Sequence, residues 1–138
     1  MANVTGLVDG PLGVAQRSPP LSPGNGAVAS FLGVVRDHAK GRGVTRLHYE
    51  CYRPMAEKVL ARIADDARRF DPALVVTAWH GLGTMVPGEV SLVLHASSAH
   101  RGPAFDAVRW LLEEIKRELP VWKRQTFDDG SDEWVHGS

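Results

Sequence analysis

The chain has little that would suit it to an oxidising compartment, to nucleic acid or to a membrane. It contains one cysteine, Cys51, so an internal disulfide is impossible. Lysine plus arginine and aspartate plus glutamate number 16 each, which leaves a formal net charge of +0 and no overall positive field to attract nucleic acid. No stretch reaches the roughly 20 apolar residues of a membrane-spanning helix. The start, MANVTGLVDG, lacks the basic residues and apolar run of a secretory signal. We therefore expect a cytoplasmic protein without membrane or nucleic-acid partners.

The composition indicates one folded domain. Hydrophobic residues make up 43% and charged residues 23% of 138 residues, which are ordinary proportions for a globular chain of this length. We expect a single domain over residues 1–138. Within it, residues 1–25 contain four prolines and several glycines. This segment is predicted to be rich in loops, with a short strand only at Leu7-Val8.

Two segments have the hydrophobic spacing of amphipathic helices. One runs from about residue 54 to residue 70, and the other from about residue 103 to residue 119. In each segment apolar residues recur every three or four positions, which is the period of one helix face. Phe105 falls in this pattern and is expected to be buried. Asp71-Pro72 and Pro120 are expected to end the two helices.

The remaining apolar segments predict strands. They cover residues 26–36, 44–52, 74–79 and 90–96, and a closing hairpin follows at 123–127 and 133–135. The first strand is apolar on both faces, so we expect both faces to be covered. Gly81 and Gly83 predict turns. The order of elements predicts an α+β fold in which two main helices pack on a largely antiparallel sheet of about six strands.

Two lysines are candidates for chemistry. Lys116 lies at the edge of the apolar stripe of the second helix, and Lys123 follows Pro120, which can turn the chain back toward that helix end. Each also has a simpler interpretation, because lysines often lay their stems along apolar surface or sit on solvated strand faces. Two neighbouring ammonium groups would lower each other's pKa. Such a pair can act as a nucleophile, as a base or as a clamp for an anion.

Further cations lie at the ends of predicted elements. His100-Arg101 precede the second helix, whose N-terminus attracts anions, and Arg36 ends the first apolar strand. A helix cap and an ordinary strand-end charge are the simpler alternatives. The six histidines lack the paired spacing of metal ligands, so we expect no metal site.

Four segments together resemble the large, catalytic subunit of molybdopterin synthase, the MoaE family. They are GAVASFLGVVRDH at residues 26–38, HYECYRPMAEK at 48–58, SSAHRGPAFDA at 97–107 and LLEEIKRELPVWKRQ at 111–125. The resemblance extends from about Gly26 to Val135. The combination of these segments is specific, although no single segment would be.

The resemblance implies an α/β hammerhead fold with an added antiparallel part and a sulfurtransferase activity. Members of the family add two sulfurs to cyclic pyranopterin monophosphate (precursor Z) and so form the dithiolene of molybdopterin in molybdenum cofactor biosynthesis. The sulfur arrives as a thiocarboxylate on the C-terminal Gly-Gly of a small ubiquitin-like, MoaD-like subunit. The family forms a heterotetramer around a homodimer of large subunits. The chemistry implies no metal and no redox cofactor.

The resemblance also assigns roles to individual residues. The catalytic residues it implies are Lys116 and Lys123, and the substrate-binding residues are Arg36, His100, Arg101 and Phe31. We expect the five cations to converge in one pocket that holds a phosphate and the sulfur-bearing tail. Gln125 stands where the family usually has glutamate. The alternative function is a non-catalytic module that binds a ubiquitin-like partner or a pterin, and product formation distinguishes the two.

Overall fold

The computed structural model describes residues 2–136. The elements of this part of the chain are, in order, β1 Val4–Asp9, α1 Val14–Arg17, β2 Ala27–Val34, β3 His38–Ala39, β4 Arg42–Cys51, α2 Arg53–Asp66, β5 Val75–Met85, β6 Val90–Ser98, α3 Arg101–Glu118, β7 Val121–Phe127 and β8 Asp132–His136. A 3-10 turn, Ala67–Arg69, follows α2. The predicted α+β class, with two main helices and a largely antiparallel sheet, is confirmed.

The sheet is organised around the long strand β5. The strand order is β2-β6-β5-β4-β7-β8, and β1 adds to β5 as the parallel pair. The first part of β5 pairs with β6, whereas Gly83–Met85 at its end pairs with β4. The strand therefore passes from one part of the sheet into the other. This arrangement leaves β4 and β7 side by side next to the end of α3.

The two main helices bury one stripe each. Their buried residues are Ala56, Leu60, Ile63 and Ala64 in α2 and Ala104, Ala107, Leu111 and Ile115 in α3. These residues recur at three- and four-residue intervals, so they share one helix face. Fully burying a leucine or isoleucine contributes about 1.5–3 kcal/mol, which fixes the rotation of each helix on the sheet. The rotation of α3 in turn decides where its polar residues point.

Two predictions about the second helix need correction. It begins at Arg101 and not near residue 103. Phe105 is 66% exposed, so its expected burial is wrong. The physical reason is that the buried stripe runs through Ala104 and Ala107, and one residue along a helix turns the side chain by about 100°.

The strand predictions were wrong at three places. Residues 1–25 hold a six-residue strand and a short helix in addition to loops. Gly81 and Gly83 lie within β5, which continues to Met85, and they do not form the predicted turns. Strand β2 is covered on one face only, because α3 packs on the side of Ala29 and Phe31.

The opposite face of β2 is open. Leu32 and Val34 on this face are 39% and 52% exposed.

Within the described residues, no helix is both long and apolar enough to cross a membrane.

Candidate active site

A cavity of about 460 Å³ opens between β2, β4, β7 and the C-terminal end of α3. This volume is within the range of small-molecule sites. Its titratable and amide-bearing lining residues are Arg36, His38, Tyr49, Lys116, Lys123 and Gln125, and Phe31 and Leu112 contribute apolar surface. Four of the six candidate residues line this one cavity: Phe31, Arg36, Lys116 and Lys123.

The end of α3 and the start of β7 bring the two lysines together. Lys116 lies in the last helical turn, and the chain becomes extended at Leu119 before Pro120. Strand β7 then pairs with β4 in a register that sets Lys123 opposite Tyr49 and Gln125 opposite Leu47. Alternate residues of a strand share a face. Lys123 and Gln125 therefore point together into the cavity toward the helix end.

The cavity is positively charged. Burial lowers the pKa of Lys123, and the nearby positive charges of Lys116 and Arg36 lower it further. No aspartate or glutamate is among the residues of the described chain that line the cavity. A partly enclosed site with several cations and no carboxylate in its lining concentrates anions. The arrangement is suited to hold a phosphate or a carboxylate-like group.

His100 and Arg101 lie outside this cavity. Both are exposed at the start of α3, and Lys116 comes 15 residues after Arg101 on the same helix, which corresponds to about 22 Å along the helix axis. Ser98 donates a hydrogen bond of 2.7 Å to Asp71 here. This bond and the hydrogen bond that the Ala73 N–H donates to Asp71 hold the pKa of Asp71 below its usual range. Within one chain the five cations therefore do not share one pocket, because a rigid helix separates His100 and Arg101 from the two lysines.

Buried groups that the sequence pattern does not identify lie behind the cavity. The Tyr49 hydroxyl donates to Ser91 Oγ at 3.3 Å, and the Tyr49 ring meets the ring of His80. His80 is completely buried, and its Nδ1–H donates to the carbonyl of Gly81 at 2.7 Å. Burial lowers the pKa of His80 to about 4, so the ring is neutral at physiological pH. An alternating pattern in β4 and β5 could have marked both residues as inward-facing, but not as neighbours.

The Nε2 atom of His80 makes no hydrogen bond within the described chain, although it is fully enclosed. Such a group is costly to bury, so protonating it in place would be more costly still. No group of three or more histidine, cysteine, aspartate or glutamate side chains among residues 2–136 is arranged to hold a metal ion.

A groove of mixed polarity adjoins the cationic cavity. It has a volume of about 500 Å³, lies between β2 and α3, and is lined by Phe105 and Val108 together with the charged residues Asp106, Arg109 and Glu113. It shares Phe31 and Leu112 with the cavity. Because the two spaces share these walls, an extended ligand can lie in the groove and place its end near the lysines.

Comparisons with known proteins agree with one another. The family model described as MoaE protein matches residues 9–118. The molybdopterin synthase catalytic subunit of Pyrococcus abyssi is 39% identical over 116 residues, which cover 84% of this chain and 78% of the relative. Molybdopterin synthase catalytic subunit 1 of Mycobacterium tuberculosis is 38% identical over 130 residues, covering 94% and 88%. The crystal structure of molybdopterin synthase from Staphylococcus aureus matches with a TM-score of 0.86 at 33% identity, covering 94% of each chain.

Proposed function

Because the chain belongs to the MoaE family, we propose that it is the catalytic subunit of a molybdopterin synthase and that Arg36, Lys116 and Lys123 form the centre of its active site. The observation that carries the assignment is the shared cavity of these three cations, whose lining within residues 2–136 includes no carboxylate. The reaction transfers sulfur from the thiocarboxylate of a small ubiquitin-like subunit to cyclic pyranopterin monophosphate. Both reactants are anions, so one cationic cavity can hold them side by side.

The two lysines take different roles in this proposal. Lys116 is exposed at the helix end and points into the cavity, so its ammonium group can bind the thiocarboxylate oxygen and polarise the carbonyl carbon. Lys123 is half-buried on β7 and orients the pterin substrate. Its positive charge stabilises negative charge that develops as the carbon–sulfur bond breaks.

The partner's tail approaches along the groove between β2 and α3. An extended Gly-Gly segment has no side chains and fits beside Phe31 and Leu112, the walls common to the groove and the cavity. Its carboxyl-terminal sulfur then reaches the lysines while the folded part of the partner stays outside. The groove therefore supports a small sulfur-carrier subunit as the partner.

A second copy of the chain supplies His100 and Arg101 to the substrate phosphate. The length of α3 prevents these residues from reaching the lysines of their own chain. In a two-fold dimer, however, the start of α3 in one subunit can lie over the cavity of the other. The exposed side chains of Leu32 and Val34, which are among the residues around this cavity, provide apolar surface for such a dimer.

We place the reaction in the cytoplasm. The chain needs no oxidising compartment, because its one cysteine cannot form an internal disulfide.

The test is an assay of molybdopterin formation from the thiocarboxylated partner and precursor Z. The wild-type protein should form product, and Lys116→Ala should lower the rate by about a hundredfold or more, the usual cost of losing a group that stabilises the transition state. Arg117→Ala is the matched control. Arg117 is the next residue on α3, but it bonds to Glu114 and Glu118 and does not line the cavity.

Each outcome bears on the proposal. Full turnover by a folded Lys116→Ala variant would refute the role of that lysine. A wild-type protein that binds the thiocarboxylated partner but forms no product would instead support the non-catalytic module. Thermal unfolding of both variants shows whether the fold is retained.

A further inference from the structure

One carboxylate lies beside the cationic cavity without acting on it. In the pairing of β7 with β8, Lys123 is opposite Val135 and Gln125 is opposite Glu133. Directly opposed residues point to the same side of a sheet, so Glu133 shares the face of Lys123 and Gln125. It is the diagonal neighbour of Lys123, and such neighbours lie about 7–8 Å apart. Two side chains as long as these can meet across that distance.

Among the described residues, Glu133 forms its ion pair with Lys40 and not with Lys123. The Lys40 ammonium donates to Glu133 Oε1 at 2.5 Å. The charges that shift the pKa of Lys123 are those of Lys116 and Arg36, and both are positive. An exposed ion pair of this kind adds little stability. Its effect is on position, because it turns the carboxylate toward the β3–β4 hairpin.

The backbone of Lys40 supports a role for its side chain. Lys40 has a φ of 53° and is the one non-glycine residue with a positive φ within the described chain. It forms, with Gly41 at φ 71°, the two-residue turn between the paired residues Ala39 and Arg42. Turns with two positive φ angles favour asparagine followed by glycine. Holding a lysine in this left-handed backbone conformation costs about 1–2 kcal/mol of folding free energy. Residues kept in such conformations are often functional.

We propose that Lys40 is a positioning residue that binds Glu133 at the hairpin and so keeps this carboxylate, which shares the sheet face of Lys123, out of the cavity. Among the described residues, the titratable and amide side chains that line the cavity with Lys123 are then cationic or uncharged: Lys116 from α3, Arg36 after β2, His38 from β3, Tyr49 from β4 and Gln125 on its own strand. The cavity keeps its full positive charge for the anionic reactants. The identity of those reactants rests on the proposed function, whereas the charge arrangement does not.

The informative variant is Lys40→Asn. Asparagine suits the left-handed turn better than lysine and carries no charge, so the hairpin is retained while Glu133 is released. A carboxylate that swings toward Lys123 favours its protonated form. We expect the titration of the Lys123 ammonium, followed by ¹³C NMR of its ε-carbon, to move to higher pH. The KM for precursor Z should rise by up to about tenfold at low salt, with a smaller change in kcat.

Double substitution separates the carboxylate from the hairpin. Lys40→Asn combined with Glu133→Gln should restore both the Lys123 titration and the KM, and Glu133→Gln alone should match the wild type. Gln125→Glu places a carboxylate in the cavity directly and should reproduce the shift of Lys40→Asn. Lys58→Asn removes an exposed charge on α2 that does not line the cavity, and it should change neither measurement.

Two results would overturn the proposal. One is a Lys123 titration that does not move in Lys40→Asn. The other is a Lys40→Asn defect that persists when Glu133 is also replaced. The NMR titration needs no turnover, so it decides the matter even if the wild-type protein forms no molybdopterin and the proposed function fails.

Discussion

Tyr49 and His80 meet edge to face inside the sheet, with 5.1 Å between their ring centroids and 73° between their planes. Tyr49 also pairs with Lys123 across β4 and β7 and lines the cavity. His80 lies behind it and is not exposed at all. The cationic cavity is therefore backed by a pair of buried rings, one of which can take up a proton only at a large cost.

We expect the buried ring of His80 to make the protein sensitive to mild acid. The pKa of His80 is about 4 in the folded chain, against an ordinary value of 6.5. Below pH 6.5 the unfolded chain binds a proton here that the folded chain does not, so the free energy of unfolding falls as the pH falls. This titration leaves the free energy of unfolding unchanged above pH 6.5 and lowers it between pH 6.5 and 4. The total decrease is about 3 kcal/mol.

Urea unfolding at pH 7, 6 and 5 measures this loss. His80→Asn retains a donor for the carbonyl of Gly81 but cannot titrate in this range. We expect the variant to be less stable at pH 7, because the smaller side chain leaves a cavity. Its stability should, however, decline less steeply from pH 7 to pH 5. Equal slopes in the two proteins would show that His80 does not control the acid response.

The shared cavity also predicts coupling between the two lysines. The positive charge of Lys116 is one cause of the lowered pKa of Lys123, after burial. Lys116→Ala should therefore raise the pKa of Lys123 toward its ordinary value, which ¹³C NMR of the lysine ε-carbons measures. Arg117→Ala should leave that pKa unchanged, since Arg117 bonds to Glu114 and Glu118. A titration of Lys123 that is the same in all three proteins would mean that the two ammonium groups do not interact.

Local pattern was enough to predict the convergence of the lysines. The predicted length of the second helix also implied the separation of His100, which the expectation of a single pocket overlooked. Pro120 had to end the second helix, and a strand that turns back from a helix end brings its first residues near the last helical turn. Lys116 and Lys123 flank that turn on either side. His100 precedes the same helix, and its distance from Lys116 follows from helix length alone. The resemblance to a family assigned both groups to one site without stating how many chains build it.

The N-terminal strand β1 was harder to predict, because its partner is distant in sequence. Val4 pairs with Thr77 in a parallel register, and nothing in residues 1–25 specifies that contact. The sequence feature that marks this contact lies in the partner strand, β5. Gly81, which the sequence suggested was a turn, lies within β5 where the backbone of Gly10 passes close by. A glycine inside a strand often marks such an approach.

The close approach at Gly81 predicts a loss of stability in Gly81→Ala. An added Cβ would lie 2.7 Å from the carbonyl oxygen of Gly10 and 2.4 Å from the end of the Met85 side chain. The methionine can move, but the backbone oxygen is fixed by the neighbouring hydrogen bond from Gly10 N–H to the Leu82 carbonyl at 2.7 Å. Overpacking of this kind costs about 1–3 kcal/mol, measurable by urea unfolding at pH 7.

Gly102→Ala is the control for this substitution. A Cβ at Gly102 would meet nothing within 4 Å, and the residue lies in α3. Alanine is a better helix former than glycine, so this variant should be at least as stable as the wild type. A Gly81→Ala protein as stable as Gly102→Ala would mean that β1 does not pack against β5 as closely as described.

The separation of Arg101 from Lys116 predicts that activity can be restored by mixing two inactive proteins. Lys116→Ala lacks the lysine of the cavity, and Arg101→Ala lacks the arginine that the proposed dimer supplies to its neighbour. A mixed dimer has one site in which both residues are intact. Random exchange of subunits should then recover about a quarter of the wild-type rate of molybdopterin formation, since half of the dimers are mixed and half of their sites are complete.

A second mixture tests whether the recovery comes from complementation between subunits. Lys116 and Lys123 line the same cavity of one chain. Mixing Lys116→Ala with Lys123→Ala therefore cannot rebuild a complete site, because every cavity in a mixed dimer still lacks one of the two lysines. If Arg101 instead served its own chain, the first mixture would remain as inactive as the second. Recovery in the first mixture and none in the second would assign Arg101 to the neighbouring subunit and the two lysines to a single one.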